Sequence, residues 1–300
     1  MARLPQAWFS LPESNPGGVQ ANQLAGTLML AWPLSLGLMV WGWPNQPDQT
    51  SILRQVSRIT TLVLALGGAA LLLLTQSRLG WLGGLAGVSG LFWLKWACQQ
   101  PWSRIRIWLI IAVVGTILLM GMMPQIQRWV MTQATPGTTS PLETVAYRFE
   151  VWRYGLEAIT NFPFTGTGLG TFRLVVLRLY PITVFPHPDV SHAHNVFLQI
   201  ALDTGLPGLV AYLALLSLTL VFGWRWLSQS PADEVGMAVG VLACLFAFHL
   251  FGLGDTIAPG AKPGVLFWWL IGLVAASAGI SRESSPQTTP CMQKTVNEIP

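Results

Sequence analysis

The sequence is poor in charge, since only 9% of its 300 residues are Asp, Glu, Lys or Arg while 52% are hydrophobic. Soluble domains carry about 25% charged residues, so the composition excludes an ordinary soluble protein. The net charge of +4 does not indicate nucleic-acid binding, because the basic residues lie mostly at the ends of apolar segments. Cys98, Cys244 and Cys291 are scattered, without the spacing of a metal site or a disulfide framework.

What the sequence has instead is a series of apolar segments, most of them near the roughly 20 residues that cross a bilayer. They predict an all-α, polytopic transmembrane helix bundle of about seven helices, with residues 1–300 in a single membrane domain. The segments run approximately over Leu24–Trp43, Ile59–Ser77, Leu79–Leu94, Ile107–Met123, Thr204–Trp224, Val235–Gly254 and Gly264–Ile280. The third is rich in glycine, which is typical of closely packed membrane helices. Residues 281–300 are predicted to be disordered.

Residues 124–203 are predicted to form one long loop outside the membrane on the extracytoplasmic side. Basic residues in the short loops favour the opposite side as cytoplasmic under the positive-inside rule. With seven crossings and a cytoplasmic C-terminus the N-terminus would lie outside, yet Met1–Gln23 has no apolar signal-peptide region. We therefore expect the chain to be the C-terminal part of a larger bundle.

Within the long loop, Ser140, Pro141 and Glu143 predict the start of a helix with a capping box. Apolar residues then recur at helical spacing, namely Val145, Phe149, Trp152, Leu156 and Ile159. Arg148 borders this stripe and has no carboxylate three or four residues away along the helix. An unpaired guanidinium there suits an anionic ligand. The alternative is an interfacial arginine paired with lipid headgroups.

Two further motifs lie in the same loop. The run Gly166–Gly170 lacks a full G-x-G-x-x-G, so its glycines indicate a tight turn or close approach to a ligand rather than a nucleotide site. His192 and His194 would point to different faces of a helix but would align in an extended segment. With His187 and Asp189 they form a candidate metal cluster, although the spacing matches no established zinc pattern. They could equally supply a general base or be structural, hydrogen-bonded histidines.

The remaining candidates are ionisable groups near segment ends. Arg78, at the outer end of the second segment, could simply snorkel or could face the same outer cavity as Arg148. Asp255 and Lys262, in the last outer loop, could be a solvated pair or could line that cavity. His249 lies inside the sixth segment, where an ionisable group indicates function by default.

Together these motifs resemble the O-antigen ligase/polymerase superfamily of bacterial membrane proteins. The residues that carry the resemblance are Asn22–Gly26 with Pro33, Thr75–Arg78, Arg148 with Trp152, Pro163–Gly168, His194 with Asn195, and Gly205–Gly208. The string from Ser191 to Gln199 looks closest to the cyanobacterial subfamily of inorganic-carbon (bicarbonate) transporters. The likeness runs from Asn22 to about Ile280.

The resemblance implies a multi-pass glycosyltransferase of the bacterial inner (plasma) membrane. Such an enzyme moves a glycan from a polyprenyl-pyrophosphate carrier, held among membrane lipids, to a hydroxyl of an acceptor glycan or lipid. No metal, no other cofactor and no nucleic acid is implied. In that reaction Arg78 and Arg148 would stabilise the pyrophosphate leaving group, and His194, or less readily His192, would take the acceptor proton. The residues expected to contact substrate are Asn195, Gly166, Gly168, Trp152, Asp255 and Lys262.

Two other readings of the sequence compete with the enzyme. A bicarbonate transporter or transport accessory protein should place polar groups at the bilayer midplane, in broken helices. The sequence offers little midplane polarity beyond His249, whereas its cations lie outside, and this favours the enzyme. A structural membrane subunit without chemistry is the third reading.

Overall fold

A computed structural model describes residues 21–42, 50–133, 141–180, 192–232, 234–257 and 262–280. These residues form ten α-helices and no strand, which confirms the predicted all-α class. In chain order the helices are α1 (Ala21–Met29), α2 (Trp32–Trp41), α3 (Ser51–Leu74), α4 (Arg78–Ala97), α5 (Trp102–Gln133), α6 (Pro141–Asn161), α7 (Phe172–Leu179), α8 (Val196–Gln229), α9 (Val235–Phe251) and α10 (Gly264–Ile280). The predicted disordered tail lies outside the described residues.

Most of each predicted apolar segment lies in a described helix, with the first segment divided between α1 and α2, and the chain is a membrane protein. By length and composition, three described stretches can cross a membrane: Ala21–Trp41, Ser51–Leu74 and Val196–Gln229. The pair Ser103–Leu118 and Gly121–Gln133, bent by 43°, would make a fourth. Helices α9 and α10 are apolar but have 17 residues each, which is shorter than the roughly 20 of a full span.

The chain divides into two compact units. The first contains α1 to α4, the second half of α8, and α9 and α10. Two of its helices have side-chain caps at their N-termini. The Thr50 hydroxyl accepts a hydrogen bond from the Leu53 N–H at the start of α3, and the Ser77 hydroxyl accepts one from the Gly80 N–H at the start of α4. The Ser77 hydroxyl also donates to Asn22 Oδ1 at 2.7 Å, which ties the start of α4 to α1.

Close helix contacts in this unit depend on glycine. A Cβ at Gly83 would lie 2.9 Å from the Met29 sulfur, and one at Gly87 would lie 2.9 Å from the Pro33 ring. The predicted role of the glycine-rich segment in close packing is thus confirmed. The same device joins α2 to α9, where a Cβ at Gly37 would lie 2.6 Å from the backbone oxygen of Gly236.

The second unit contains α5, α6, α7, the first half of α8 and the short segment Leu253–Thr256. Helix α6 packs on α5 through Val130, Ala146 and Phe149. Its other neighbours are α7 and α8, in a core that the following buried residues form: Val151, Ala158, Ile159, Phe172, Tyr180, Ala193, Ala201 and Leu202.

Two features of the second unit differ from the prediction, and one helix start agrees with it. Helix α8 begins at Val196, where Asn195 caps it, but its backbone leaves helical geometry at Gly205, with a φ of 74°. The predicted apolar segment from Thr204 to Trp224 therefore corresponds to the part of α8 that follows this break, and the first part, from Val196, was not predicted. Helix α6 begins at Pro141 as predicted, while the proposed cap Ser140 lies outside the described residues. Leu156 was expected in the buried stripe of α6 but is 59% exposed, since the helix buries Val151 and Ala158 instead. The placement of residues 124–203 relative to the membrane stays a prediction.

Replacing Gly37 by Ala should destabilise the protein by about 1–3 kcal/mol, because the added methyl group overpacks the backbone contact between α2 and α9. The matched control is Gly67→Ala on α3, where an added Cβ meets nothing within 4 Å. Thermal unfolding in detergent micelles should show a lowered midpoint for the first variant alone. Equal midpoints for the two would contradict this packing.

Candidate active site

The second unit brings three predicted site residues together around the carboxylate of a fourth, Asp255. Arg148 comes from the middle of α6, His192 and His194 come from the segment just before α8, and Asp255 comes from the segment that follows α9. The two histidines are not helical, and their side chains meet on one partner, although the backbone is bent at His194 rather than extended. The convergence makes this cluster the candidate active site.

Asp255 is contacted on both oxygens. Its Oδ1 lies 2.8 Å from His192 Nε2 and 3.2 Å from His194 Nδ1. The same oxygen accepts a hydrogen bond from the backbone N–H of Thr256 at 2.8 Å. Its Oδ2 lies 3.9 Å from a terminal nitrogen of Arg148. The expectation that Arg148 is unpaired is therefore wrong, because its partner is distant in sequence and could not be found by helical spacing.

Burial strengthens these electrostatic contacts, because little water surrounds them. The side chain of Asp255 is only 4% exposed, and those of Arg148, His192 and His194 are 15%, 22% and 18% exposed. Burial alone would raise the pKa of Asp255, but hydrogen bonds from the two histidines and their charges outweigh it and hold that pKa well below its ordinary value. The carboxylate is therefore ionised at neutral pH.

Burial acts in the opposite direction on the basic partners. It lowers the pKa of His194 from its ordinary value of 6.5, although the hydrogen bond and charge of Asp255 oppose the shift. Burial also lowers the pKa of Arg148, again against the attraction of Asp255, but an arginine remains protonated. At neutral pH the cluster consequently holds a carboxylate, a guanidinium and a neutral His194.

The ionised carboxylate determines the tautomer of His194. Because a carboxylate can only accept hydrogen bonds, the ring nitrogen that faces it must carry the proton. That nitrogen is Nδ1 in His194, so Nε2 is the unprotonated nitrogen in the neutral ring. His194 also adopts a positive φ of 50°, which is uncommon outside glycine, and the Tyr147 ring contacts its ring edgewise with centroids 5.8 Å apart.

The histidine segment, residues 192–195, is held from three sides. Asn195 Oδ1 accepts from the N–H groups of Phe197 and Leu198 and caps α8, while Asn195 Nδ2 donates to the Leu253 carbonyl at 3.1 Å. The Trp152 indole donates to the Ala193 carbonyl at 3.0 Å. Asn195 and Trp152, both predicted to contact substrate, thus have a supporting role in the structure, and their contact with substrate stays a prediction.

The glycine turn, residues 166–170, lies against α8. The Thr167 N–H donates to the Leu202 carbonyl at 2.6 Å. Gly166 has a φ of 63°, and a Cβ there would lie 2.4 Å from the Leu202 oxygen. Both the close packing and the backbone conformation therefore require glycine at position 166. The predicted contacts of Gly166 and Gly168 with substrate stay predictions.

Two residues of this region were not identified as site residues from the sequence. Gln199 Oε1 accepts from the Ala193 N–H at 2.8 Å, and Gln199 Nε2 donates to Asp203 Oδ1 at 2.9 Å. Asp203 Oδ1 also accepts from the Gly170 N–H at 3.2 Å. Their spacing of four along a helix, just after the histidines, is a signal that could have found them.

The cluster also has unused polar capacity. Arg148 Nε and Thr256 Oγ1 are buried and have no hydrogen-bond partner among the described residues. A buried donor without a partner costs free energy, on the order of 1–3 kcal/mol. Such groups are typical of a site that completes its hydrogen bonding when a ligand binds.

His192, His194 and Asp255 are also of the residue types that hold a metal ion, and their ligand atoms lie within 4.8 Å of one another. Two observations weigh against this use. Asp255 Oδ1 already has three hydrogen-bonding neighbours, and Arg148 brings a positive charge to 3.9 Å from Oδ2. The charge of the Asp255 carboxylate is already balanced by Arg148 without a metal ion. The absence of a metal stays a prediction.

Other candidates lie elsewhere. Arg78 and Lys262 belong to the first unit, where both are exposed, and their part in the site stays a prediction. His249 is also in the first unit, and its Nδ1 lies 2.6 Å from the carbonyl oxygen of Leu245 in the same helix. His187 and Asp189 lie outside the described residues.

Comparison with known families gives one finding. The model of a family described as O-antigen ligase matches residues 61–213, which is just over half of the chain. The match includes Arg78, Arg148, both histidines of the cluster and the glycine turn, whereas Asp255 follows it. A search of curated proteins finds no significant match.

The glycine turn offers a matched pair of substitutions. Gly166 and Gly170 have similar φ values of 63° and 67°, so alanine at either should cost about 1–2 kcal/mol of backbone strain. Only at Gly166 does the new Cβ also meet backbone atoms, because nothing lies within 4 Å at Gly170. Thermal unfolding should therefore show a larger loss for Gly166→Ala than for Gly170→Ala, and equal losses would refute the close contact with α8.

Proposed function

Because the chain belongs to the O-antigen ligase family, we propose that it is a membrane glycosyltransferase. It moves a glycan from a polyprenyl-pyrophosphate carrier to a hydroxyl group of an acceptor glycan or lipid. It acts at the outer face of the bacterial inner membrane, which it crosses several times. The single observation that carries the proposal is the buried Asp255 carboxylate, which orients His194 as a base beside the Arg148 guanidinium.

In the proposed reaction His194 is the general base. The acceptor oxygen attacks the anomeric carbon of the carrier-linked sugar, and its proton passes to Nε2 of His194. Asp255 holds the opposite nitrogen of that ring and stabilises the imidazolium that forms. His192 shares the same carboxylate oxygen at 2.8 Å and keeps Asp255 in place.

The leaving group requires positive charge. As the bond between the anomeric carbon and the pyrophosphate oxygen breaks, its electron pair leaves with the polyprenyl pyrophosphate. Arg148 stabilises that developing charge, since a guanidinium binds phosphate oxygens in bidentate fashion and Arg148 Nε has no other partner in the described part of the chain. Arg78 is the second cation of the proposal, on the ground that the family match includes it.

Gene deletion and complementation test this function. Arg148→Ala and His194→Ala should each lower glycan transfer by about a hundredfold or more, because each removes a group that acts in the transition state. The matched control is Arg153→Ala, on the same helix, whose exposed side chain lies over the Tyr154 ring. It should retain wild-type transfer.

Bicarbonate uptake is measured in the same strains, since part of the sequence resembles inorganic-carbon transporters. Loss of a surface glycan that wild type and Arg153→Ala restore, but the other two variants do not, supports glycosyl transfer. Unchanged glycans with lost uptake would reject the enzyme in favour of transport. Full restoration by His194→Ala would reject the proposed base.

The pH dependence of transfer provides a second test. His194 must be neutral to accept a proton, so the rate should fall as the pH drops through its lowered pKa, below 6.5. Asp255 raises the pKa of His194 against the effect of burial. Asp255→Asn should therefore move the acid limb of the profile to lower pH, besides lowering the maximal rate. A limb that stays in place, or moves upward, would contradict the assignment of the limb to His194.

A further inference from the structure

A pair of side chains on α8, Gln199 and Asp203, connects two segments of the site that are separate in sequence. Gln199 is 4% exposed. Its Oε1 accepts from the backbone N–H of Ala193, the residue between the two histidines, at 2.8 Å. Its Nε2 donates at 2.9 Å to Asp203 Oδ1, which also accepts from the Gly170 N–H at 3.2 Å.

The direction of these hydrogen bonds is determined at both ends. The Ala193 and Gly170 backbone groups are donors, so an acceptor must face each of them. Gln199 therefore presents its oxygen to Ala193 and its amide nitrogen to Asp203. An amide reversed about its last bond would place a donor against a donor at Ala193 and an acceptor against an acceptor at Asp203.

A glutamine and an aspartate four residues apart on a helix can also interact simply to stabilise that helix. The outer contacts of this pair argue for more. Ala193 precedes α8 and Gly170 belongs to the glycine turn, so neither backbone group is part of the helix. The pair thus sets the distance between the histidine segment and the glycine turn.

We infer that Gln199 and Asp203 are positioning residues, which hold the histidine segment in register with the glycine turn so that His194 faces the reacting substrate. The chemistry in this inference rests on the proposed function. The hydrogen-bonded connection itself does not, and it can be tested without glycan transfer.

The test uses the full-length protein with three substitutions. Gln199→Leu breaks the link to Ala193 and leaves the contact between Asp203 and Gly170. Asp203→Leu removes the acceptor for both Gln199 and Gly170. Asp203→Asn is the matched control, since its side-chain oxygen can accept both hydrogen bonds although the charge is gone.

The first readout is the rate at which diethyl pyrocarbonate acylates each histidine, resolved by mass spectrometry. Gln199→Leu and Asp203→Leu should change the rates at His192 and His194 several-fold and leave that at His249 unchanged. Asp203→Asn should behave like wild type. The second readout is glycan transfer, where the leucine variants should lower kcat tenfold or more with a smaller change in KM, and Asp203→Asn should restore it.

Several results would overturn the inference. Rates that rise together at all three histidines would indicate general loss of structure rather than positioning. Unchanged rates in Gln199→Leu, or equal effects of Asp203→Asn and Asp203→Leu, would exclude the connection. If Asp203→Leu fails to fold, Gln199→Leu decides by itself. A wild-type protein without transferase activity but with the expected histidine rates would reject the proposed function and leave the connection standing.

Discussion

A carboxylate removed from water must have its charge compensated, and the site depends on how this protein does so for Asp255. Two imidazoles, a backbone N–H and a guanidinium surround a side chain that is 4% exposed. Removing one partner of such a buried group typically costs about 3–5 kcal/mol. The same contacts that stabilise the carboxylate orient His194 and keep Arg148 beside it, so stability and chemistry depend on one interaction.

The rest of the second unit supports this arrangement through backbone contacts. The histidine segment is short and not helical, and three side chains hold it: Trp152 from α6, its own Asn195 and Gln199 from α8. Each uses a polar group whose partner is a backbone atom. The imidazole rings of His192 and His194 are not among these three side chains, and both contact the Asp255 carboxylate.

Sequence reasoning predicted the all-α membrane class and the helix from Pro141. It also singled out Arg148, His192 and His194, which the structure brings together at Asp255 and whose role in function stays a prediction. Periodicity and composition suffice for the fold class and for the helix, because both depend on neighbours along the chain. It missed the pairing of Arg148 with Asp255, since nothing local connects α6 with a segment that follows α9. It also missed the first part of α8, from Val196 to the break at Gly205, because the cap Asn195 lies within a polar motif that suggested a loop.

The order of the site residues along the chain has a consequence for biogenesis. During synthesis Arg148 and both histidines leave the ribosome before Asp255, which is separated from them by all of α8 and all of α9. Until that carboxylate arrives, the nascent second unit carries a guanidinium and two imidazoles without the anion they later share. The site can therefore be completed only after α9 has been synthesised, and a chain that ends before α9 retains every basic group of the cluster but lacks the residue that organises them.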